Sequence, residues 1–147
     1  MKKFLGISLA VFSLDRIIKV LVQSLLSGER LYVIKNFFYL VYVKNIGAAF
    51  SILEGKSILL ILIGIIALFV IYNQVKKKGI NNIGYPLLFG GILGNLLDRI
   101  IFGYVIDFIG FEFGSYSFPI FNIADMAIVL GAVFVILGSD KNEIDSK

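Results

Sequence analysis

Long apolar runs separated by polar connections dominate the pattern along this chain. The runs predict four membrane-spanning helices, at about 4–26, 56–72, 83–101 and 123–138. At about 1.5 Å per residue, the first run is long enough to cross a hydrocarbon core of about 30 Å. We therefore expect a membrane all-α fold with four transmembrane helices, organised as a single integral membrane domain over 1–147.

The connection between the first two runs has a different pattern. Asn36–Lys44 alternates with a period of two and is rich in aromatic and β-branched residues, which is typical of a strand. We expect it to form a small β-sheet between helices 1 and 2, resting on the extracytoplasmic membrane surface. Gly47, Ala48 and Ala49 follow, and their small side chains would leave room for another segment to approach closely.

Lysine clusters indicate the orientation of the chain in the membrane. Lys2 and Lys3 precede the first run, and Lys76–Lys78 follow the second. Because basic residues accumulate on the cytoplasmic side, we predict that both termini are cytoplasmic. The connections 27–55 and 102–120 would then lie on the extracytoplasmic side.

The composition supports the membrane assignment and excludes several chemistries. The chain is 59% hydrophobic with a mean hydropathy of +0.93, whereas about 45–50% is usual for soluble domains. It has no histidine and no cysteine, so imidazole catalysis, thiolate nucleophiles and disulfides are excluded. We expect no metal and no cofactor. The net charge of +4 lies mostly at the ends of apolar runs, so no nucleic-acid partner is predicted.

The predicted topology places two carboxylates on the same side of the helix bundle. Asp107 follows the third run by a few residues, and Asp125 opens the fourth. Two carboxyl groups in contact do not readily both ionise, so they would share one proton. This arrangement suits peptide hydrolysis, because one member takes a proton from water while the other donates to the scissile carbonyl. The spacing alone leaves open a polar network that only holds helices together.

Other polar residues are candidate supports for this pair. Asp15 and Lys19 are four residues apart and face each other on the first helix, either as a structural ion pair or as electrostatic support. Asn45 would line the site and supply a hydrogen-bonding group there. The alternative is that its segment serves only helix packing. Asn122 stands three residues before Asp125, which is the spacing of a helix N-cap.

Asp98 stands next to Arg99 and three residues after Asn95, so we expect it to have a partner of its own there. We interpret Asp98 as a residue that orients the pair and not as a third catalyst.

Intramembrane carboxylates also occur in other classes of protein, and two alternatives follow. One is a small ion- or proton-coupled transporter, which would have carboxylates strung through the membrane depth; here three of the four lie toward one side. The other is a non-enzymatic assembly subunit whose polar residues only pair helices.

Five motifs follow one another across nearly the whole chain: DRIIK (15–19), NIGAAFS (45–51), GGILGNLLDR (90–99), GYVIDFI (103–109) and FNIAD (121–125). In this order they resemble the lipoprotein signal peptidase family, also called prolipoprotein signal peptidase or signal peptidase II. The resemblance implies a membrane aspartic endopeptidase of the bacterial inner membrane. Such an enzyme removes signal peptides from diacylglyceryl-modified prolipoproteins, cleaving on the amino side of the lipidated cysteine, and a surface sheet cradles the substrate.

The resemblance also implies roles for individual residues. It makes Asp107 and Asp125 the catalytic pair. The positions that it implies for substrate binding or support are Asp15, Lys19, Asn45, Gly90, Asn95, Asp98, Arg99 and Asn122. The first motif departs from the family pattern Asp-Gln-x-Thr-Lys, because Arg16 and Ile18 replace the glutamine and the threonine. That change affects any role of position 18, but not the pair. The expected partners are a lipid-modified prolipoprotein and membrane lipids, and we expect a monomer.

Overall fold

The computed structural model describes residues 1–26, 28–47, 55–78 and 82–144. Each predicted apolar run lies in a helix. The helices are α1 (Lys2–Leu25), α2 (Ser57–Lys78), α3 (Gly84–Phe102) and α4 (Ile123–Ile144). The helices α2 and α4 continue beyond the ends of their apolar runs, because lysine, glutamate and glutamine propagate a helix as well as apolar residues do.

The helices differ in how well they fit a membrane. Among the described residues, Ser57–Lys77 and Gly84–Phe102 are long and apolar enough to cross one, and Ile123–Gly138 is a shorter apolar helix. The helix α1 buries Asp15 and Lys19, while most of its leucine and isoleucine side chains are exposed. A helix that turns polar groups inward and apolar groups outward is typical of a lipid environment.

A four-stranded antiparallel sheet accompanies the helices. Its strands, in spatial order, are β1 (Leu31–Ile34), β2 (Phe38–Asn45), β3 (Val105–Phe113) and β4 (Tyr116–Ser117). The strands β1 and β2 come from the connection between α1 and α2, as predicted. The sheet is larger than predicted, because β3 and β4 come from the connection between α3 and α4. The register of β2 and β3 pairs Val43 with Asp107 and Asn45 with Val105. The sheet therefore places Asn45 close to Asp107, one of the two predicted catalytic residues.

The helix α3 contacts each of the other helices, and α4 most extensively. Two adjacent glycines permit this close approach. A Cβ at Gly91 would lie 2.5 Å from the carbonyl oxygen of Ala124, and a Cβ at Gly90 would lie 2.6 Å from that of Ser8. Gly90 therefore occupies a packing position between α3 and α1, and Gly91 fixes the start of α4 against α3.

Candidate active site

Asp107 lies near the start of β3 and is only 2% exposed. Its Oδ2 accepts a hydrogen bond of 2.8 Å from Asn45 Nδ2, and its Oδ1 accepts one of 2.6 Å from Asn122 Nδ2. The pairing of β2 with β3 brings Asn45 within reach, and Asn122 directly precedes α4. Two amide donors from different parts of the chain therefore fix the plane of this carboxyl group.

Asp125 lies in the first turn of α4. Its Oδ1 accepts a hydrogen bond of 2.7 Å from Asn95 Nδ2, and its Oδ2 accepts one of 3.2 Å from the backbone N–H of Asn122. In return, the backbone N–H of Asp125 donates to Asn122 Oδ1 at 2.8 Å. This reciprocal pair is a capping box, and it confirms the prediction that Asn122 caps the helix. The helix N-terminus also favours a negative charge at this position.

Asn122 links the two aspartates. It is fully buried and bonds Asp107 through its side-chain amide and Asp125 through its backbone N–H. The same amide nitrogen lies 3.1 Å from Asn95 Oδ1. One asparagine thus holds both carboxyl groups, which come from a strand and from a helix.

The environment of Asp107 changes its acidity. Burial, and secondly the charge of the neighbouring Asp125, raise the pKa of Asp107 from its ordinary 3.8 to about 7. The hydrogen bonds from Asn45 and Asn122 and the charge of Lys19 lower this pKa, but they offset only part of the rise. Near neutral pH the carboxyl group is therefore divided between its protonated and ionised forms, which is the range that suits an acid or base catalyst.

Lys19 occupies the centre of a buried charge cluster and is 0% exposed. Its Nζ lies 2.7 Å from Asp15 Oδ2 and 2.8 Å from Asp98 Oδ2, and it donates a hydrogen bond of 3.0 Å to Asn95 Oδ1. The contact with Asp15 is a short, buried ion pair between residues four apart on α1. The predicted ion pair of Asp15 and Lys19 is therefore present, and Asn95 joins it to the candidate site.

The two carboxylates around Lys19 also hold the backbone at the site. Asp98 Oδ2 accepts a hydrogen bond of 3.2 Å from the N–H of Ile106, the residue before one aspartate of the pair. Asp15 Oδ1 accepts one of 2.9 Å from the N–H of Ala124, the residue before the other aspartate. We call Lys19 with Asp15 and Asp98 the lysine bridge. It connects the backbone of β3 to that of α4 and so fixes the two aspartates relative to each other.

The partners of Asp98 differ from those that the sequence suggested. Its Oδ1 contacts Arg16 Nη1 at 2.5 Å, and its Oδ2 contacts Lys19. Consecutive residues on a helix point about 100° apart, so Asp98 and Arg99 diverge. The expectation of a partner at Arg99 or Asn95 was wrong. Arg16 is the residue that sequence reasoning missed, because it was treated only as a departure from a motif.

Arg99 ties the end of β2 to α3. Its Nη2 donates a hydrogen bond of 2.9 Å to the carbonyl oxygen of Gly47, and the N–H of Gly47 donates one of 2.9 Å to Asn45 Oδ1. Arg99 thereby supports the asparagine that holds one carboxyl group of the pair. Ala48 and Ala49, which were predicted to leave room for a bound segment, lie outside the described residues.

All four carboxylates of the motifs belong to one cluster. Asp15 joins the lysine bridge and bonds the start of α4, whereas the sequence suggested that it lay apart from the others. A set of carboxylates gathered in this way contrasts with the extended pathway expected of a transporter.

A cleft of about 680 Å³ opens onto the pair. Its walls are mostly apolar side chains of α2, α3, α4 and the segment before α4. The polar groups in its lining are those of Asn45, Asn95, Arg99, Asp107 and Asp125. An apolar cleft with a few convergent polar groups suits an apolar ligand that carries one reactive polar group. Within the described ranges, no group of three or more acidic, histidine or cysteine side chains is arranged to hold a metal ion.

The fold and the site together are those of a membrane hydrolase of the aspartic peptidase class. A family model described as signal peptidase (SPase) II matches residues 7–139, and the chain belongs to that family. The family resemblance seen in the motifs is therefore confirmed.

Individual relatives agree with this assignment. A lipoprotein signal peptidase of Halothermothrix orenii is 41% identical over 133 residues, covering 88% of this chain and 89% of the relative. One from Listeria monocytogenes is 39% identical over 137 residues, covering 89% and 88%. A solved bacterial membrane enzyme, determined by the in meso method at 2.3 Å resolution, has a TM-score of 0.89 and 32% identity, covering 100% of this chain and 93% of that one. A second bacterial membrane enzyme, at 1.9 Å resolution, has a TM-score of 0.83 and 33% identity, covering 94% and 92%.

Proposed function

We propose that this protein removes signal peptides from diacylglyceryl-modified prolipoproteins, cleaving on the amino side of the lipidated cysteine. The observation that carries the proposal is a pair of carboxyl groups, Asp107 and Asp125, both held by Asn122 beside an apolar cleft. The substrate class is supported by the relatives, which carry the name lipoprotein signal peptidase. The other polar residues of the site then serve to position this pair.

The proposed reaction uses one proton shared by the pair. Asp107 holds it, consistent with a pKa of about 7, and hydrogen-bonds the scissile carbonyl oxygen. Asp125 takes a proton from water as the water oxygen attacks the carbonyl carbon, and Asp107 protonates the carbonyl oxygen. The C–N bond then breaks, the leaving nitrogen takes the proton from Asp125, and a hydroxyl of the intermediate returns a proton to Asp107. The pair ends in its starting state.

Charge balance supports a single shared proton. Arg16, Lys19 and Arg99 supply three positive charges to the cluster, and Asp15 and Asp98 supply two negative charges. The cluster is neutral only when the catalytic pair contributes one further negative charge. An uncompensated buried charge costs several kcal/mol, so the state with one proton on the pair is favoured.

The proposed setting is the bacterial inner membrane, with one integral domain of four transmembrane helices that acts as a monomer among membrane lipids. Both termini and the loop after Lys76–Lys78 are cytoplasmic, and the sheet and the pair face the extracytoplasmic side. The lysine clusters and the outward apolar faces of the helices support this orientation. The mechanism requires no metal and no cofactor.

In the proposed topology the pair lies below the outer membrane surface, and this position accounts for the proposed preference for a lipidated substrate. A soluble peptide would have to bring unsatisfied backbone groups into hydrocarbon, at several kcal/mol each. Acyl chains already anchor a lipidated precursor in the bilayer, and each buried CH₂ adds roughly 0.8 kcal/mol of membrane affinity. The apolar walls of the cleft would then receive the signal helix beside the pair.

The test is cleavage of a diacylglyceryl-modified prolipoprotein by purified protein in detergent. Asp107→Asn and Asp125→Asn should each lower the rate by at least about 10³-fold, and the double variant should be no slower, because the two residues act as a unit. Glu29→Gln, which alters an exposed carboxyl group, is the matched control and should retain full activity. An unlipidated precursor of identical sequence should be cut far more slowly. Substantial activity in either single variant would disprove the catalytic assignment.

A further inference from the structure

Arg16 enters the proposed mechanism only through the charge count of the cluster, and it lies at the edge of that cluster. Its guanidinium contacts Asp98 Oδ1 at 2.5 Å, and its side chain is 22% exposed while that of Asp98 is fully buried. The guanidinium also lies over the ring of Phe102, 5.4 Å from its centroid. These two contacts hold the long side chain in one place at the edge of the cluster.

Arg16 reaches the catalytic pair through the lysine bridge. Asp98 receives Arg16 on one oxygen, and on the other it receives both Lys19 and the N–H of Ile106, which precedes Asp107. Lys19 needs to neutralise only part of Asp98, because Arg16 supplies a second positive charge. Lys19 is thereby free to pair with Asp15 on its other side.

We propose that Arg16 is a positioning residue of the Asp107–Asp125 pair, acting through Asp98. It completes the neutral charge count of the cluster, and it keeps Asp98 oriented toward the backbone of β3. The inference rests on the proposed function, in which the pair holds one proton during the reaction.

The expected effect is a shift of the pH dependence of cleavage. The charged groups facing the pair are Asp15 and Lys19 from α1 and Asp98 and Arg99 from α3. Removing Arg16 from its contact with Asp98 takes one positive charge from the cluster, which favours protonation of the pair. Loss of a unit charge at the edge of a buried cluster shifts the pKa of a carboxyl group in that cluster by roughly one unit. Both limbs of the pH–rate profile should therefore move to higher pH.

The experiment measures kcat/KM against pH for the wild type, Arg16→Gln and Arg16→Lys with a lipidated prolipoprotein. Arg16→Gln should move both limbs upward by roughly one pH unit, and Arg16→Lys should restore the wild-type profile. Arg30→Gln is the matched control, because it removes an arginine from an exposed ion pair with Glu112 and should leave the profile unchanged. A wild-type profile in Arg16→Gln, or an equal shift in Arg16→Lys, would overturn the proposal.

A second readout separates this inference from the proposed function. The melting temperature in detergent should fall as pH rises through the titration of the pair, and that fall should occur at higher pH in Arg16→Gln. If the melting profile of Arg16→Gln is shifted in this way but the wild type cleaves no prolipoprotein, the proposed function fails while the influence of Arg16 on the pair stands. If the melting profiles of the two proteins coincide, the role of Arg16 is disproved.

Discussion

Replacing Asp107 with asparagine should make the protein inactive but remove a pH-dependent loss of stability. The wild-type residue has a pKa of about 7 in the folded protein, against an ordinary value of 3.8. Its raised pKa means that the folded state binds a proton that the unfolded state releases. The stabilising contribution is therefore fully present below about pH 4 and disappears as the pH rises through 7. Asparagine has no proton to lose, so the variant lacks this dependence.

The size of the effect follows from the pKa values. Each pH unit between the two pKa values is worth about 1.4 kcal/mol, so the loss between pH 5 and pH 7 is about 3 kcal/mol and then levels off. In the variant, the side-chain NH₂ of asparagine at position 107 faces the NH₂ donor of either Asn45 or Asn122, so one hydrogen bond is lost. This loss destabilises the folded state by about 1–3 kcal/mol at every pH. That constant penalty shifts the whole stability curve of Asp107→Asn, but it does not change the slope.

The assay is thermal melting in detergent at pH 5, 6, 7 and 8. At about 2–4 °C per kcal/mol for a chain of this size, the melting temperature of Asp107→Asn should gain roughly 6–12 °C relative to wild type between pH 5 and pH 8. Glu29→Gln, at an exposed carboxyl group, should follow the wild type at each pH. Parallel curves for Asp107→Asn and wild type would refute the reasoning that burial and a charged neighbour hold a proton on this residue.

Three further predictions concern support, packing and topology. Lys19→Met leaves two buried carboxylates without their shared cation, so it should destabilise the protein by about 3–5 kcal/mol and more severely at high pH; melting at the wild-type temperature would contradict this. Gly91→Ala should cost about 1–3 kcal/mol and most of the activity, because its Cβ meets the backbone of α4, whereas Gly6→Ala has open space on α1 and should melt at the wild-type temperature or slightly above it. A cysteine introduced at Lys77 should be shielded from an impermeant reagent in intact cells and one at Gly114 should be labelled; the reverse result would invert the topology.

The helices were the part of the fold that the sequence predicted best, because an apolar run of about 20 residues is compatible with few structures other than a membrane-spanning helix. The sheet was predicted only in part. The strand β2 showed its alternation, but β1 is four residues long with all of them exposed, so it has no period to detect. The strand β3 begins with Val105, Ile106, Asp107 and Phe108, which are buried on both faces, and its apolar run was interpreted as a connection.

The candidate site could be predicted to a similar extent. The order of the apolar runs was enough to predict that Asp107 and Asp125 lie close together. The spacing between Asn122 and Asp125 was enough to predict the N-cap of α4. The link between Arg16 and Asp98 spans 82 residues in sequence, so no local pattern reveals it. The packing of α1 against α3 determines which cation pairs with which carboxylate. These pairings cannot be predicted before the packing of the two helices is known.

The ion pair of Asp15 and Lys19 has a consequence for biosynthesis of the protein. The other partners of Lys19 are on α3, with Asn95 76 residues further along the chain. In the proposed topology α1 enters the bilayer before α3 has been synthesised, at a time when a lone lysine would oppose insertion. Asp15, one turn away on the same helix, neutralises it from the outset. The nascent helix therefore carries its own counter-ion until α3 lies beside it.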